Sequence, residues 1–331
     1  MKKQIVTIAA LAMSLNMFAQ QWPVPNQEAK PGTRWWWLGS AVTENDLKWN
    51  LRQFADHGIG AIEITPIYGV QGNEKNNIPF LSPRYMEILK YVNAECKADG
   101  IEFDMATGTG WPFGGPWVPL DESASQMLII DTTVVGKKIK ALDLRPIEKK
   151  RKNTSLVGIY AFSEGKFLKI TTPLVEGTLT TKLPSKGTWR IIALYQKKGV
   201  MAVKRAAPGG AGFVIDHFDK QAVTNYLKHI EEAFEKTGTP YPHTFFNDSY
   251  EVSESDYTPT LFQEFYNRRG YSLEENFDKL VDGDTKVVAD YRETLGDMLL
   301  DNFTRTWTAW AHSHGAITRN QAHGSPANLI D

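Results

Sequence analysis

Short apolar runs alternate along the first third of the chain with longer segments in which apolar residues recur at helical spacing. Runs of this length are typical of buried strands, and the three- to four-residue spacing predicts amphipathic helices between them. Such an alternation predicts right-handed βαβ units around a parallel sheet. The predicted strands are residues 34–40, 59–64 and 101–106, and the predicted helices are residues 43–57 and 82–98.

The pattern changes in the middle of the chain and then returns. From about residue 124 to 205, alternating Thr, Val, Ile and Leu segments are separated by Lys-Gly and proline turns, which predicts a β-rich insertion. The strand and helix rhythm then resumes. Predicted strands end at residues 216 and 248, a last one begins at 316, and helices are predicted at 219–236, 259–269 and 285–314.

About six parallel strands with intervening helices fit most of a (β/α)8 TIM-like barrel, a fold of ~250 residues. The chain ends at Asp331 before such a ring could close. A truncated barrel is favoured over an open sheet, because the last predicted strand runs into a polar loop with no helix after it. We therefore predict an α/β barrel that is incomplete at its C-terminus. The predicted divisions are 1–20 (signal peptide), 21–123 (first βα units), 124–205 (β-rich insertion) and 206–331 (further βα units).

The N-terminus has the pattern of a secretory signal. Lys2 and Lys3 precede an apolar run over residues 5–18, and small and polar residues follow. No later segment reaches the ~18 uninterrupted apolar residues of a membrane span. The expected protein is therefore exported, periplasmic or extracellular, without a membrane span. The single cysteine, Cys96, allows no internal disulfide, and neither a glycine turn nor an adjacent histidine marks it as catalytic.

Composition narrows the class of partner. With 37 basic and 38 acidic side chains the formal net charge is -1, so no nucleic acid or anionic membrane is expected as partner. The chain has 10 tryptophans, three of them consecutive at 35–37. Indole rings suit the apolar faces of sugars, but an aromatic-rich core would use them equally well. In a strand at least one of the three must face away from its neighbours.

Polar residues follow nearly every predicted strand. In a barrel the active site lies at the carboxyl ends of the strands, so these side chains should share one rim. A repeated carboxylate there is hard to obtain by chance, because burying an unpaired one costs several kcal/mol. The predicted substrate-binding residues are Trp37, Ser40, Glu63, Asp104, Trp111, Asn247, Asn320 and His323.

Paired carboxylates beside aromatic walls are what glycosidic bond cleavage requires, one as acid and the other as base or nucleophile. Glu251 and Asp248 are the predicted catalytic residues, with Glu251 the first choice for proton transfer because Asp248 lies nearby to raise its pKa. Capping the helix near Pro259, or pairing with an arginine, is the structural alternative. Asp104, Asp216 and Asp248 could also bind sugar hydroxyls, or a hard cation such as Ca2+.

Five segments together resemble one enzyme family. They are RWWWLG (34–39), GIGAIEI (58–64), TGTGWPFGGP (107–116), NDSYE (247–251) and RNQAHGSPAN (319–328). In this combination the chain resembles the α-L-rhamnosidases of glycoside hydrolase family 106. The glycine-tryptophan loop and the segment around His323 are the most specific parts.

The resemblance implies an exported bacterial enzyme that removes terminal rhamnose from plant polysaccharides with inversion, with Ca2+ at the substrate site. It also implies a barrel followed by β-sandwich domains, with at least one catalytic glutamate beyond Asp331. Two alternatives stay open. The chain could be a catalytically silent carbohydrate-binding fragment, or a barrel glycosidase acting on another sugar.

Overall fold

A computed structural model describes residues 25–321. The predicted signal peptide and His323 therefore lie outside the described residues. The strands in chain order are β1 (Gly32–Leu38), β2 (Ala61–Ile67), β3 (Glu102–Ala106), β4 (Gly114–Gly115), β5 (Ser125–Val135), β6 (Lys138–Asp143), β7 (Thr154–Ser163), β8 (Lys166–Ile170), β9 (Thr178–Lys182), β10 (Thr188–Lys198), β11 (Phe213–Val214), β12 (Thr244–Asn247) and β13 (Ile317–Asn320). The α-helices are α1 (Glu44–Asp56), α2 (Pro83–Asp99), α3 (Lys220–Thr237), α4 (Leu261–Arg269), α5 (Phe277–Asp282), α6 (Thr285–Met298) and α7 (Arg305–Ser313).

A five-stranded parallel sheet in the order β1-β2-β3-β12-β13 forms the main body. The predicted strand ending at residue 216 is not part of it. That segment forms the two-residue strand β11, which pairs antiparallel with β4. Glycine makes the pairing possible, because a Cβ atom on Gly114 would lie 2.3 Å from the Phe213 carbonyl oxygen. Within residues 25–321 the parallel strands number five and do not close a ring, so the described part of the chain shows a parallel α/β sheet and no complete barrel.

The first two predicted helices begin directly after the capping residues that the sequence indicates. Thr43 and Ser82 accept hydrogen bonds from the first turns of α1 and α2, and α2 ends at Gly100, whose φ of 67° suits glycine. The helix predicted over 285–314 is interrupted. Its ends are α6 and α7, and residues Leu299–Thr304 between them form a π-helical stretch.

The tryptophan strand β1 divides its side chains between two faces. Trp35 packs edge-on against Phe54 of α1, and Trp37 packs against Tyr85 of α2, with ring centroids 5.4 and 6.1 Å apart. Trp37 is 1% exposed, whereas Trp36 is 41% exposed on the opposite face. The predicted sugar contact of Trp37 is therefore corrected, because its indole serves the core between sheet and helices.

The predicted β-rich insertion forms an antiparallel sheet in the order β5-β10-β7-β8, with β6 and β9 paired beside it. It has its own apolar core around Trp189, Ile191 and Leu179. Hydrogen bonds join it to the main body; among them, Tyr160 donates to Glu274, Ser125 donates to the Tyr257 carbonyl oxygen, and Arg190 donates to Asp282. In the described part of the chain, no helix combines the length and apolar character needed to cross a membrane.

Candidate active site at the carboxyl edge of the parallel sheet

The sheet face opposite the helices carries a charged network. Strand alternation places Arg34, Glu63, Asp104 and Arg319 on this face, where they line a cavity of about 250 Å³. Arg34 donates to Glu63 through Nε and to Asp248 through Nη1, both over 2.8 Å. The network therefore ties the middle of the sheet to the loop that follows β12.

Glu63 and Asp104, two predicted substrate-binding residues, lie inside this network. The two Glu63 oxygens accept from Arg34, Thr65 and Arg319, and the Glu63 side chain is 5% exposed. Asp104 lies 3.8 Å from the Arg319 guanidinium, and burial raises the pKa of its carboxyl group. With these partners Glu63 is suited to holding the two arginines in place.

The two predicted catalytic carboxylates lie beyond the end of β12, in opposite electrostatic settings. Lys204 forms an ion pair with Glu251 over 2.8 Å, and Ser249 donates to the other Glu251 oxygen; both hold the pKa of Glu251 below its usual range. Burial raises the pKa of Asp248 above its usual range, although the Arg34 guanidinium opposes the rise. The predicted raised pKa of Glu251 is therefore wrong, because Lys204 outweighs Asp248.

These settings separate the roles that two carboxylates can take. A group whose pKa is raised holds its proton to higher pH and suits a general acid, whereas one whose pKa is lowered stays ionised and suits a base. The arrangement therefore favours Asp248 as the proton donor and Glu251 as the carboxylate that accepts a proton. Pairing with an arginine, which was the predicted structural alternative to a catalytic role, is also observed for Asp248, whose partner is Arg34.

The remaining predicted site residues are divided between the rim and the interior. Asn247 donates to Asn320 over 3.0 Å across the ends of β12 and β13, so these two amides are brought together. Trp111 lies at the rim, where its backbone pairs with that of Lys204. Ser40 is corrected, because it is fully buried and its backbone, with φ of 50°, turns the chain away from the strand end.

Sequence reasoning missed the cations of this site. Arg34 carried a usable signal, since it shares strand parity with Trp36 and so faces away from the core tryptophans. Lys204 carried none, because it reaches Glu251 from the end of the insertion, 47 positions away in the sequence. Arg319 lies in the last predicted strand, but its carboxylate partner Glu63 is 256 positions away in the sequence, and only the order of the strands in the sheet brings the two together.

A buried polar cluster lies behind the Glu251 loop. Asp216 is 3% exposed and accepts a hydrogen bond from the Phe218 amide over 3.0 Å, and burial raises the pKa of its carboxyl group to about 7. The His217 ring lies edge-on to the Tyr250 ring at 4.7 Å, and burial lowers the pKa of His217 to about 3. Both groups are therefore held in their neutral forms in the folded protein at mildly acidic pH.

The Asp216→Asn variant should show a flatter dependence of stability on pH. Because the pKa of Asp216 is about 7 when folded and ordinary when unfolded, the folded state binds the extra proton between about pH 4 and 7. The stability that this proton confers is present below pH 4 and is lost as the pH rises through 7. Asparagine mimics the protonated acid, so relative to the unmodified protein it should gain on the order of 3 kcal/mol between pH 4.5 and 7.5.

Urea unfolding of both proteins across that pH range measures the difference. His217 acts in the opposite direction, since its neutral form costs stability as the pH falls, but it is present in both proteins and cancels in the comparison. A constant difference between the two proteins from pH 4.5 to 7.5 would contradict the account of Asp216.

The Ca2+ implied by the sequence resemblance finds no preformed cluster in the described part of the chain. Ca2+ takes six to eight oxygen ligands, usually with several carboxylates among them. Across residues 25–321 no three His, Cys, Asp or Glu side chains gather to hold a metal ion. Of the two carboxylates that line the cavity, Glu63 already binds two arginines, and Asp104 lies 3.8 Å from the Arg319 guanidinium. No step is therefore derived through a metal, and Ca2+ stays a prediction.

Two larger proteins are similar to this chain. A putative beta-glucuronidase from Formosa agariphila is 24% identical over 344 aligned residues, which cover 88% of this chain and 29% of that protein. The structure of a rhamnosidase from Novosphingobium sp. PP1Y matches with a TM-score of 0.66 at 15% identity, over 89% of this chain and 46% of that one. The chain thus spans less than half the length of either protein.

A protein-family model covers nearly all of the sequence. The model of the alpha-L-rhamnosidases of glycoside hydrolase family 106 matches residues 23–155 and 160–331. The match includes the charged network, the rim and both candidate catalytic carboxylates. The chain belongs to glycoside hydrolase family 106, the alpha-L-rhamnosidase family.

Proposed function

We propose that this chain forms part of the catalytic region of an exported α-L-rhamnosidase, which removes terminal rhamnose from plant-type glycans by inverting acid/base hydrolysis. The observation that carries the proposal is the position of Asp248 and Glu251. In a chain of this family, the two carboxylates lie in the loop that follows β12, and their pKa values are shifted in opposite directions. Export rests on the signal-like pattern over residues 1–20.

In the proposed reaction Asp248 donates its proton to the glycosidic oxygen as the bond to the anomeric carbon breaks. Glu251 accepts a proton from the water that attacks the opposite face of that carbon, so the product sugar has inverted configuration. Arg34 remains on Asp248 and stabilises the carboxylate left after proton transfer. Lys204 keeps Glu251 ionised and ready to accept the next proton.

A second candidate comes from the relative in Formosa agariphila, a putative beta-glucuronidase. A glucuronide carries a carboxylate that a rhamnoside lacks, and the rim carries two neighbouring cations, Lys204 and Arg205. A glycosidase of the same fold that cleaves β-glucuronides is therefore the alternative reaction. A silent carbohydrate-binding protein has no comparable observation in its favour.

A panel of aryl glycosides separates these candidates. The full-length protein should release the aryl group from an α-L-rhamnoside with a kcat/KM at least about 100-fold above that for the β-D-glucuronide, because one misplaced or missing polar contact costs that much in a built pocket. Proton NMR of the first product should show β-L-rhamnose. Release of the α anomer would contradict inversion, and faster cleavage of the glucuronide would replace the proposed substrate with the alternative.

A further inference from the structure

Arg205 is a surface cation held in place by other groups at the rim. Its carbonyl oxygen accepts from the Tyr68 amide over 3.1 Å, and its φ is 56°. The preceding residue, Lys204, exchanges two backbone hydrogen bonds with Trp111. Gly110 lies directly beneath, since a Cβ atom there would be 1.9 Å from the Lys204 carbonyl oxygen. The backbone of Arg205 is thus fixed by two separate loops.

The Arg205 guanidinium is also fixed, although it is exposed. Its central carbon lies 5.4 Å from the Tyr68 ring and 5.9 Å from the Trp111 ring, and Nη1 donates to the Tyr68 hydroxyl over 3.2 Å. Lys204 is paired with Glu251, but no carboxylate among residues 25–321 lies at ion-pair distance from Arg205. Arg205 is therefore a preorganised guanidinium without a counter-ion, and it is adjacent in sequence to Lys204, the partner of the candidate catalytic residue Glu251. Such a group is suited to binding an anion.

We infer that Arg205 binds the carboxylate of a uronic acid in the leaving-group position, next to the scissile rhamnosyl bond. The inference rests on the proposed function, because rhamnose carries a methyl group and no charge, so an anion must belong to the neighbouring sugar. The planar guanidinium matches a carboxylate with two parallel hydrogen bonds. The Tyr68 and Trp111 rings beside it supply apolar faces for the same sugar ring. Arg205 is thus a specificity residue, which sets the acceptor sugar.

Binding of two matched disaccharides tests this role. The probes are α-L-rhamnosyl-(1→4)-glucuronate and α-L-rhamnosyl-(1→4)-glucose, which differ by one carboxylate. Calorimetry on the full-length Asp248→Asn protein, in which hydrolysis should be slow, should give about tenfold tighter binding of the uronate. Adding Arg205→Gln should bring the ratio of the two dissociation constants to about one. Adding Arg205→Lys instead should retain part of the preference for the uronate, because lysine keeps the positive charge but cannot form the two parallel hydrogen bonds of a guanidinium.

The matched control is Arg52→Gln, the same chemical change on the exposed side of α1, and it should leave the preference intact. Equal binding of the two disaccharides by the Arg205-containing protein, or no binding of either, would overturn the inference. So would an unchanged preference in both Arg205 variants. The proposed function fails on a separate result, the absence of aryl rhamnoside cleavage by the unmodified protein, which leaves the ratio of dissociation constants unaffected.

Discussion

Replacing Asp248 with asparagine is expected to lower kcat/KM for a rhamnosyl disaccharide by about 10²- to 10⁴-fold, the usual contribution of a positioned proton donor. The same variant should lose far less on 4-nitrophenyl α-L-rhamnoside. Nitrophenolate leaves without a proton, so cleavage of this substrate needs no acid. Because burial raises the pKa of Asp248, it is the carboxyl group best suited to carry that proton.

Glu251→Gln should behave differently. A base that activates water is needed whatever the leaving group, so this variant should lose activity on both substrates to a similar extent. Lys204 holds Glu251 ionised, which is the state a base requires. The pattern across the two substrates therefore assigns the roles. If the losses appear with the two residues interchanged, Glu251 is the acid and Asp248 is the base, which would contradict the proposed roles.

The control for both variants is Glu254→Gln, which removes one negative charge from the same loop at an exposed position. It should change kcat/KM by less than about twofold, because an exposed charge is screened by solvent and salt. Thermal unfolding should also show that Asp248→Asn folds, since Arg34 keeps Glu63 as its partner. Loss of activity in Glu254→Gln equal to that in Asp248→Asn would mean that loop charge, not proton donation, accounts for the effect.

The sheet could be predicted from the sequence because its rules are local. Each parallel strand is an apolar run, and each helix between them begins at a capping residue such as Thr43 or Ser82. The segment ending at residue 216 has the same local pattern but a different partner. Its pairing with β4 depends on the close approach that Gly114 allows, and that approach is a tertiary property.

The positions of the candidate site residues could be predicted in outline from the sequence, but their ion pairs could not. The rule that strands deliver polar groups to one edge predicted the position of Asn247, Asn320, Asp248 and Glu251, which lie at or just beyond the carboxyl ends of β12 and β13. The alternation of side chains along a strand required the three tryptophans to lie on both faces of the sheet. It did not determine that Trp37 lies on the face covered by the helices. The order of the two carboxylate pKa values depends on their cationic partners. Arg34 is 214 positions from Asp248 in the sequence, and Lys204 is 47 positions from Glu251.

Replacing Trp307 with alanine is expected to lower the free energy of unfolding by about 3–5 kcal/mol, the usual cost of removing a buried aromatic side chain. Trp307 of α7 is fully buried, stacked on Phe303 with ring centroids 6.1 Å apart and edge-on to Phe113. Its indole nitrogen donates to the Thr107 hydroxyl over 3.1 Å, at the carboxyl end of β3. The substitution therefore leaves both a cavity and a buried hydroxyl that accepts no hydrogen bond from the indole.

Trp49→Ala is the matched control, because Trp49 lies on α1 and is 62% exposed. It should change the free energy of unfolding by less than about 0.5 kcal/mol, as surface substitutions usually do. Trp307→Phe should fall between the two, since it keeps the stacked ring but not the donor to Thr107. Urea unfolding of all three variants measures the series. Equal losses in Trp307→Phe and Trp307→Ala would mean that the hydrogen bond to Thr107, and not the packing on Phe303, is what Trp307 contributes to the rim.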